Sequence, residues 1–287
     1  EVTGNYTMDT MVSTLESQGY KVVAGINGDL YDTSTGAPKG LTIHDGKIKT
    51  SGYAPEYVIS FDENGRASLQ KVNLGYSLKG TINIPTNVEV PVTDPAQTAT
   101  NGAVTQTPTP PAVTTQTVPV PTPWEAPIGF FNIPHGGAKA LHLYNRQYAA
   151  TTKTAENSVE VILQASSSDN AEPTVGGTIE ATVLEVRNGT SNTPIGADQL
   201  VLSAAADSPY AVPLSYLAPG STVQLSVADW NNGGLSQSRE AIGVYYAMCD
   251  NGQWISNGTN LNPRTAIGIK PDGSILLYTL DGRQPGI

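Results

Sequence analysis

Apolar residues recur at helical spacing in one clear stretch, TMDTMVSTLESQG at residues 7–19, where Met8, Met11, Val12 and Leu15 share a face. Thr7 is placed to cap the first turn and Gly19 to end the last, so a helix is predicted here. The segment that follows, YKVVAGI (20–26), is apolar enough to predict a strand buried on both faces. Further on, short apolar segments are separated by turn dipeptides. GLTIHDGKIKTS turns at Asp45-Gly46 and YVISFDENGRASLQKV at Asn64-Gly65, while TAIGIKPDGSILLYTLDG is predicted to fold back around Asp272-Gly273. One helix followed by hairpins predicts an α+β fold, a β-rich mixed sheet with few helices.

The middle of the chain reads differently. Residues 93–123 hold ten Thr and seven Pro but no Leu, Ile or aromatic residue. Such a stretch buries too little apolar surface to offset its ordering entropy, and predicts an extended, polyproline-like or disordered excursion. Strand-like segments then resume in IGFFNIP, ALHLYN, SVEVILQ, TIEATVLEVRNG, QLVLSAA and TVQLSVADW. Residues 75–245 are therefore expected to form a mostly-β insertion or second lobe, looped out of a domain whose two parts are 1–74 and 246–287.

Charge narrows the partners. With 15 Lys and Arg against 25 Asp and Glu, the chain carries a formal charge of −10, which disfavours nucleic acid as the main ligand. No apolar run approaches the roughly 20 residues of a membrane-spanning helix. The single cysteine, Cys249, excludes an internal disulfide and a cysteine-rich zinc site; within AIGVYYAMCDN a buried, inert thiol is expected. His44, His135 and His142 lack metal-ligand spacing, so a histidine-based zinc site is not expected, and His142 in ALHLYN reads as a strand side chain packed beside Tyr144. Trp124, Trp230 and Trp254 suit core or rim positions better than sugar stacking. The lone cysteine, the lack of basic patches and the Thr/Pro excursion suit a secreted or surface-exposed protein, with an export signal expected upstream of Glu1.

Three segments place glycines and polar side chains next to apolar strands: GINGDLYDTSTGAPKGL (25–41), NLNPRTAIGI (260–269) and LLYTLDGRQPG (276–286). Each has an ordinary reading, since Asn-Gly-Asp and Asp-Gly are common turns and an Arg after Pro is often a surface ion pair. Taken together and in this order, VVAGINGDLYDTSTGAPKGLTIHDGKI and NPRTAIGIKPDGSILLYTLDGRQPG resemble the phosphodiester glycosidase family, over about residues 8–62 and 128–287. GFFNIPHGGAKALHLYN resembles the larger bacterial members. The resemblance also implies a strand before the first helix and a later Asp-Gly-Gly-Gly-Ser segment, neither of which occurs here. The family-like domain is thus expected to be C-terminally incomplete, with a further segment completing the fold.

What the resemblance implies is hydrolysis of a sugar-1-phosphodiester through an oxocarbenium-like transition state with a phosphate monoester leaving. Such a reaction wants a carboxylate on the sugar face and a clamp on the phosphate, which a planar guanidinium provides bidentately. Asp29 and Asp281 are the candidate carboxylates and Arg264 the candidate clamp. Asn27, Gly28, Thr265, Gly282 and Arg283 are the candidate substrate-binding residues. No cofactor is implied, and a metal requirement stays open. Asn27, Asp29, Arg264 and Asp281 are expected to converge in one cleft, the strands carrying GIN, AIGI and LLYTL sharing one sheet. The alternative is a non-catalytic carbohydrate-binding or structural surface module on the same scaffold.

Overall fold

A computed structural model describes residues 4–53, 56–91, 113–135, 139–154, 157–231, 234–255 and 262–282. Helix α1 (Met8–Ser17) forms where helical spacing predicts it: Thr7 Oγ1 accepts from the Thr10 N–H at 3.3 Å, and Gly19 ends it at φ +91°. None of its residues is buried. The predicted strand 20–26 does not form. The segment is irregular and exposed, with Val23 at 85%, because no described strand pairs with it and apolar character alone supplies no hydrogen-bond partners.

The Asp45-Gly46 hairpin joins β1 (Thr42–His44) to β2 (Lys47–Thr50), both turn residues at positive φ as a two-residue turn requires. The Asn64-Gly65 hairpin joins β3 (Tyr57–Phe61) to β4 (Ala67–Lys71), its loop tied by the Asp62 carboxylate to the N–H groups of Asn64 and Arg66. Two long strands follow, β5 (Leu74–Pro91) and β6 (Val113–Phe131), and then β7 (Leu141–Asn145), β8 (Ser158–Ala165), β9 (Thr178–Thr190) and β10 (Gln199–Ala205). A short helix, α2 (Ala211–Ser215), precedes β11 (Thr222–Asp229) and β12 (Glu240–Val244). Two small hairpins end the chain: β13 (Cys249–Asp250) with β14 (Gln253–Trp254), and β15 (Arg264–Ile269) with β16 (Ile275–Leu280).

Strands β5 to β11 close into a barrel in the order β10-β7-β6-β5-β11-β9-β8, antiparallel except for β6 and β7. On β9 and β11 the buried residues alternate, Ile179, Ala181 and Val183 against Val223, Leu225 and Val227, so one face fills the barrel and the other meets water. The wall β7-β10-β8 is buried on both faces, as the apolar runs LHLY, VEVIL and LVLSA require. Its inner face joins the main core, while its outer face packs Val201 and Ile162 with Tyr144, Tyr148 and Ile195. Strand β12 leaves the barrel and inserts between β1 and β3, giving a five-stranded sheet β2-β1-β12-β3-β4. Ile43, Ile48 and Val58 of this sheet, with Leu41 just before it, share one apolar cluster with the barrel interior.

Residues 113–123 of the Thr/Pro tract are regular strand, not a disordered excursion; the rest, 93–112, lies outside the described residues. The prolines fit because Pro119, Pro121 and Pro123 face Pro85, Asn83 and Thr81, and the Asn83 N–H points away from them to the Tyr216 carbonyl at 2.8 Å. Such wide pairs ask for no proline N–H. A second correction concerns Cys249. It is exposed on β13, since the chain after Val244 runs out over the surface with Tyr245, Tyr246 and Met248 also exposed.

Candidate functional site

Residues 30–39 fold back on themselves. Tyr31 bridges Pro38, the Asp32 N–H donates to the Ala37 carbonyl, and the Lys39 N–H donates to the Leu30 carbonyl at 2.8 Å. Asp32 shapes the tip, its carboxylate accepting from the Ser34 hydroxyl and from the Ser34 and Thr35 N–H groups, which hold it below the usual carboxylate range. This fold-back returns Gly40 to Asp29. Asp29 Oδ1 accepts from the Leu30 N–H at 2.7 Å and Oδ2 from the Gly40 N–H. Burial nevertheless outweighs these bonds and the nearby Lys39 charge, and pushes Asp29 above the usual range.

Strand β12 forms the floor. A Cβ at Gly243 would stand 2.7 Å from Asp29 Oδ2 and 2.9 Å from Gly40 Cα, so only glycine admits this approach. Gly28 packs against the end of the Ile242 side chain, which a Cβ there would displace. Gly40, Gly243 and Lys39 were not singled out in the sequence. Gly40 sits in the GAPKGL run that held the signal, but Gly243 in AIGVYY carried none.

The two ends of the chain meet here. The Thr265 hydroxyl on β15 donates to Asn27 Oδ1, joining residues 238 positions apart. Arg264 lies opposite Leu280 in the hairpin, exposed, with Nη1 donating to the Pro263 carbonyl at 3.2 Å. Exposed Asp281 follows directly, and Gly282 packs on Pro263 at the same hairpin end. Arg283 lies outside the described residues. Asn27 and Thr265 are therefore in contact and Arg264 shares a hairpin end with Asp281, whereas Asp29 turns its oxygens to Leu30 and Gly40. The expected common sheet is absent. β15 and β16 pair with each other, and residues 25–27 are not strand, lacking a neighbour to bond.

His142 packs as expected beside Tyr144, the rings 5.9 Å apart. Trp124 is half-buried against the core, while Trp230 and Trp254 are exposed. Among the described residues no group of three or more His, Cys, Asp or Glu is placed to hold a metal ion. Nor is any helix among them long and apolar enough to cross a membrane.

Comparison with known proteins places this geometry. A protein of Synechocystis described only as hypothetical superposes at TM-score 0.61 with 13% identity, over 93% of this chain and 41% of its own. A Burkholderia pseudomallei protein described as "Putative exported protein" superposes at TM-score 0.51 with 16% identity, over 98% of this chain and 57% of its own. These likenesses establish a shared fold, and the chain spans about two fifths and under three fifths of these neighbours' lengths. No curated protein matches the sequence. The family described as phosphodiester glycosidase matches residues 174–287, which hold the return strand β12 and the Arg264 hairpin. Over residues 174–287 the chain is similar to the phosphodiester glycosidase family.

Proposed function

We propose that the protein is an extracytoplasmic hydrolase that cleaves the sugar–phosphate bond of sugar-1-phosphodiesters in surface, wall or capsule glycans. The observation that carries this reading is the Asn27–Thr265 contact, which docks the family-matched hairpin on the Asp29 loop. In this reading residues 1–74 and 246–287 form one catalytic unit and 75–245 an insertion. Arg264, exposed at the hairpin end, reaches two phosphate oxygens and stabilises the charge that builds on the leaving group. Asp29 or Asp281 faces the anomeric carbon, and Asn27, Gly28, Thr265, Gly282 and Arg283 line the substrate. The exposed apolar side chains of α1 and of β16, Met8, Met11, Leu15, Leu277 and Tyr278 among them, support a further segment packing on these elements. The description of one structural neighbour as an exported protein supports the location.

A second reading, a non-catalytic carbohydrate-binding or structural module, is favoured by one detail. Both Asp29 oxygens are already engaged by backbone N–H groups, as in a carboxylate that braces a loop. The two separate on incubation with an N-acetylglucosamine-1-phosphodiester. Released sugar, lost in Arg264→Ala, supports the hydrolase; glycan binding without release supports the module.

A further inference from the structure

Alternation along β7 sends Leu141 and Leu143 into the barrel and His142 and Tyr144 to its outer wall. Register places His142 opposite Ser203 on β10, and Ser203 opposite Glu160 on β8, so the three share that outer face. All three are fully buried there. The His135 ring lies over His142, centroids 4.2 Å apart, and Phe130 lies 5.0 Å from it. His142 Nδ1 is 3.4 Å from the Ile133 carbonyl oxygen and 3.3 Å from the Tyr144 hydroxyl. The Nε2 atoms of both histidines, and Ser203 Oγ, are buried without a hydrogen-bond partner among the described residues. Two imidazoles in ring contact with unpaired, water-excluded nitrogens have no provision for a charge.

The ionisable groups around the pair do not supply one. Glu160 gives its oxygens to the Thr154 hydroxyl at 2.7 Å and the Thr193 N–H at 3.3 Å. Asp207, beyond β10, pairs with Lys139 at 2.9 Å. Arg187 of β9, a guanidinium acting on Glu160, is held by Glu185. Tyr144 and Tyr148 are pushed up by burial, Tyr148 to about 12, and stay neutral. Glu160 and Asp207 pull His135 upward, but burial prevails and lowers it; burial and the facing His135 push His142 down to about 3.

The segment these rings hold is tied to the candidate site. Phe131 and Ser51 exchange two hydrogen bonds of 3.0 Å, and Asn132 Nδ2 donates to the Lys49 carbonyl at 2.8 Å. The Tyr53 N–H then donates to the Lys39 carbonyl at 2.8 Å, one residue before the Gly40 N–H that holds Asp29.

We propose that His135 and His142 form an acid-sensitive latch, which when neutral holds residues 131–135 on the barrel wall and when charged releases them together with the 49–53 segment bracing Asp29. Only the consequence at Asp29 rests on the proposed function; the latch itself does not. The closed state binds fewer protons than the open one, whose histidines titrate near 6.5. Closure is therefore favoured above that pH and weakens as pH falls below it, about tenfold per unit from His142, with His135 acting in the same direction.

Hydrogen exchange of the whole chain at pH 7.5 and 5.0, corrected for the intrinsic pH dependence of exchange, tests this. Protection at 131–135, 139–145 and 49–53 is expected to fall at least tenfold at pH 5.0, while β9 and β11 keep theirs. His142→Phe retains a ring without a charge and should abolish the difference. Should that variant not fold, His135→Phe, at the less buried ring, should reduce it. Unchanged wild-type protection, or an equal pH response in the variant that folds, overturns the latch. Sugar release is scored separately, so a pH-dependent opening without hydrolysis leaves the latch standing and removes the catalytic reading.

Discussion

Asp29 is held by backbone rather than by side chains. Its two oxygens take the N–H groups of Leu30 and Gly40, and Gly243 leaves room for them. Because burial raises this carboxyl while Lys39 lowers it, Lys39→Met should raise it further. If Asp29 acts ionised, the acid limb of the pH–rate profile then moves to higher pH in that variant, and a limb that stays put removes Asp29 from the reaction. Arg264→Ala should lower kcat/KM for a sugar-1-phosphodiester about a hundredfold, a loss of roughly 3 kcal/mol in line with removing a charged hydrogen-bond partner. Thermal melting should stay where it was, since the side chain is exposed. Asn27, Asp29 and Arg264 stood out in the sequence because polar residues beside apolar segments, in that order, resemble the family's motifs. Gly243 did not, because its constraint comes from a loop more than 200 residues away.

Elements whose signal is local were legible. The Thr7 cap, the Asp45-Gly46 turn and the alternation of β9 and β11 each express interactions within a few residues. Pairing overturned one reading and decided between the alternatives of another. YKVVAGI lacks a partner and stays irregular, while the proline-rich 113–123 gains one in β5 and becomes strand. The outer ribbon, residues 86–91 on β5 against 113–118 on β6, has no buried residue. Replacing 86–118 by an Asn-Gly turn should therefore shift the melting temperature by only a few degrees, loop closure costing about 0.6 kcal/mol per doubling of length. A fall of tens of degrees in calorimetry would show that the ribbon supports the barrel.

Across the whole molecule, stability is concentrated in the barrel and the sheet fused to it. Leu202, fully buried in the main cluster, should cost about 2–5 kcal/mol on replacement by Ala. Leu277, 45% exposed on β16, should cost under about 0.5 kcal/mol in the same chemical denaturation. Equal losses would mean that β16 is buried in solution. The acidic balance, the β-rich class and the positions of most strands follow from side-chain chemistry and short-range alternation, which act within a few residues and are present in any conformation of the chain. Barrel closure, the insertion of β12 between β1 and β3, the contact of Asn27 with Thr265 and the stacking of His135 on His142 depend on long-range pairing. Each such pairing is favourable only once the rest of the chain has brought its partners together, so no local stretch of residues records it.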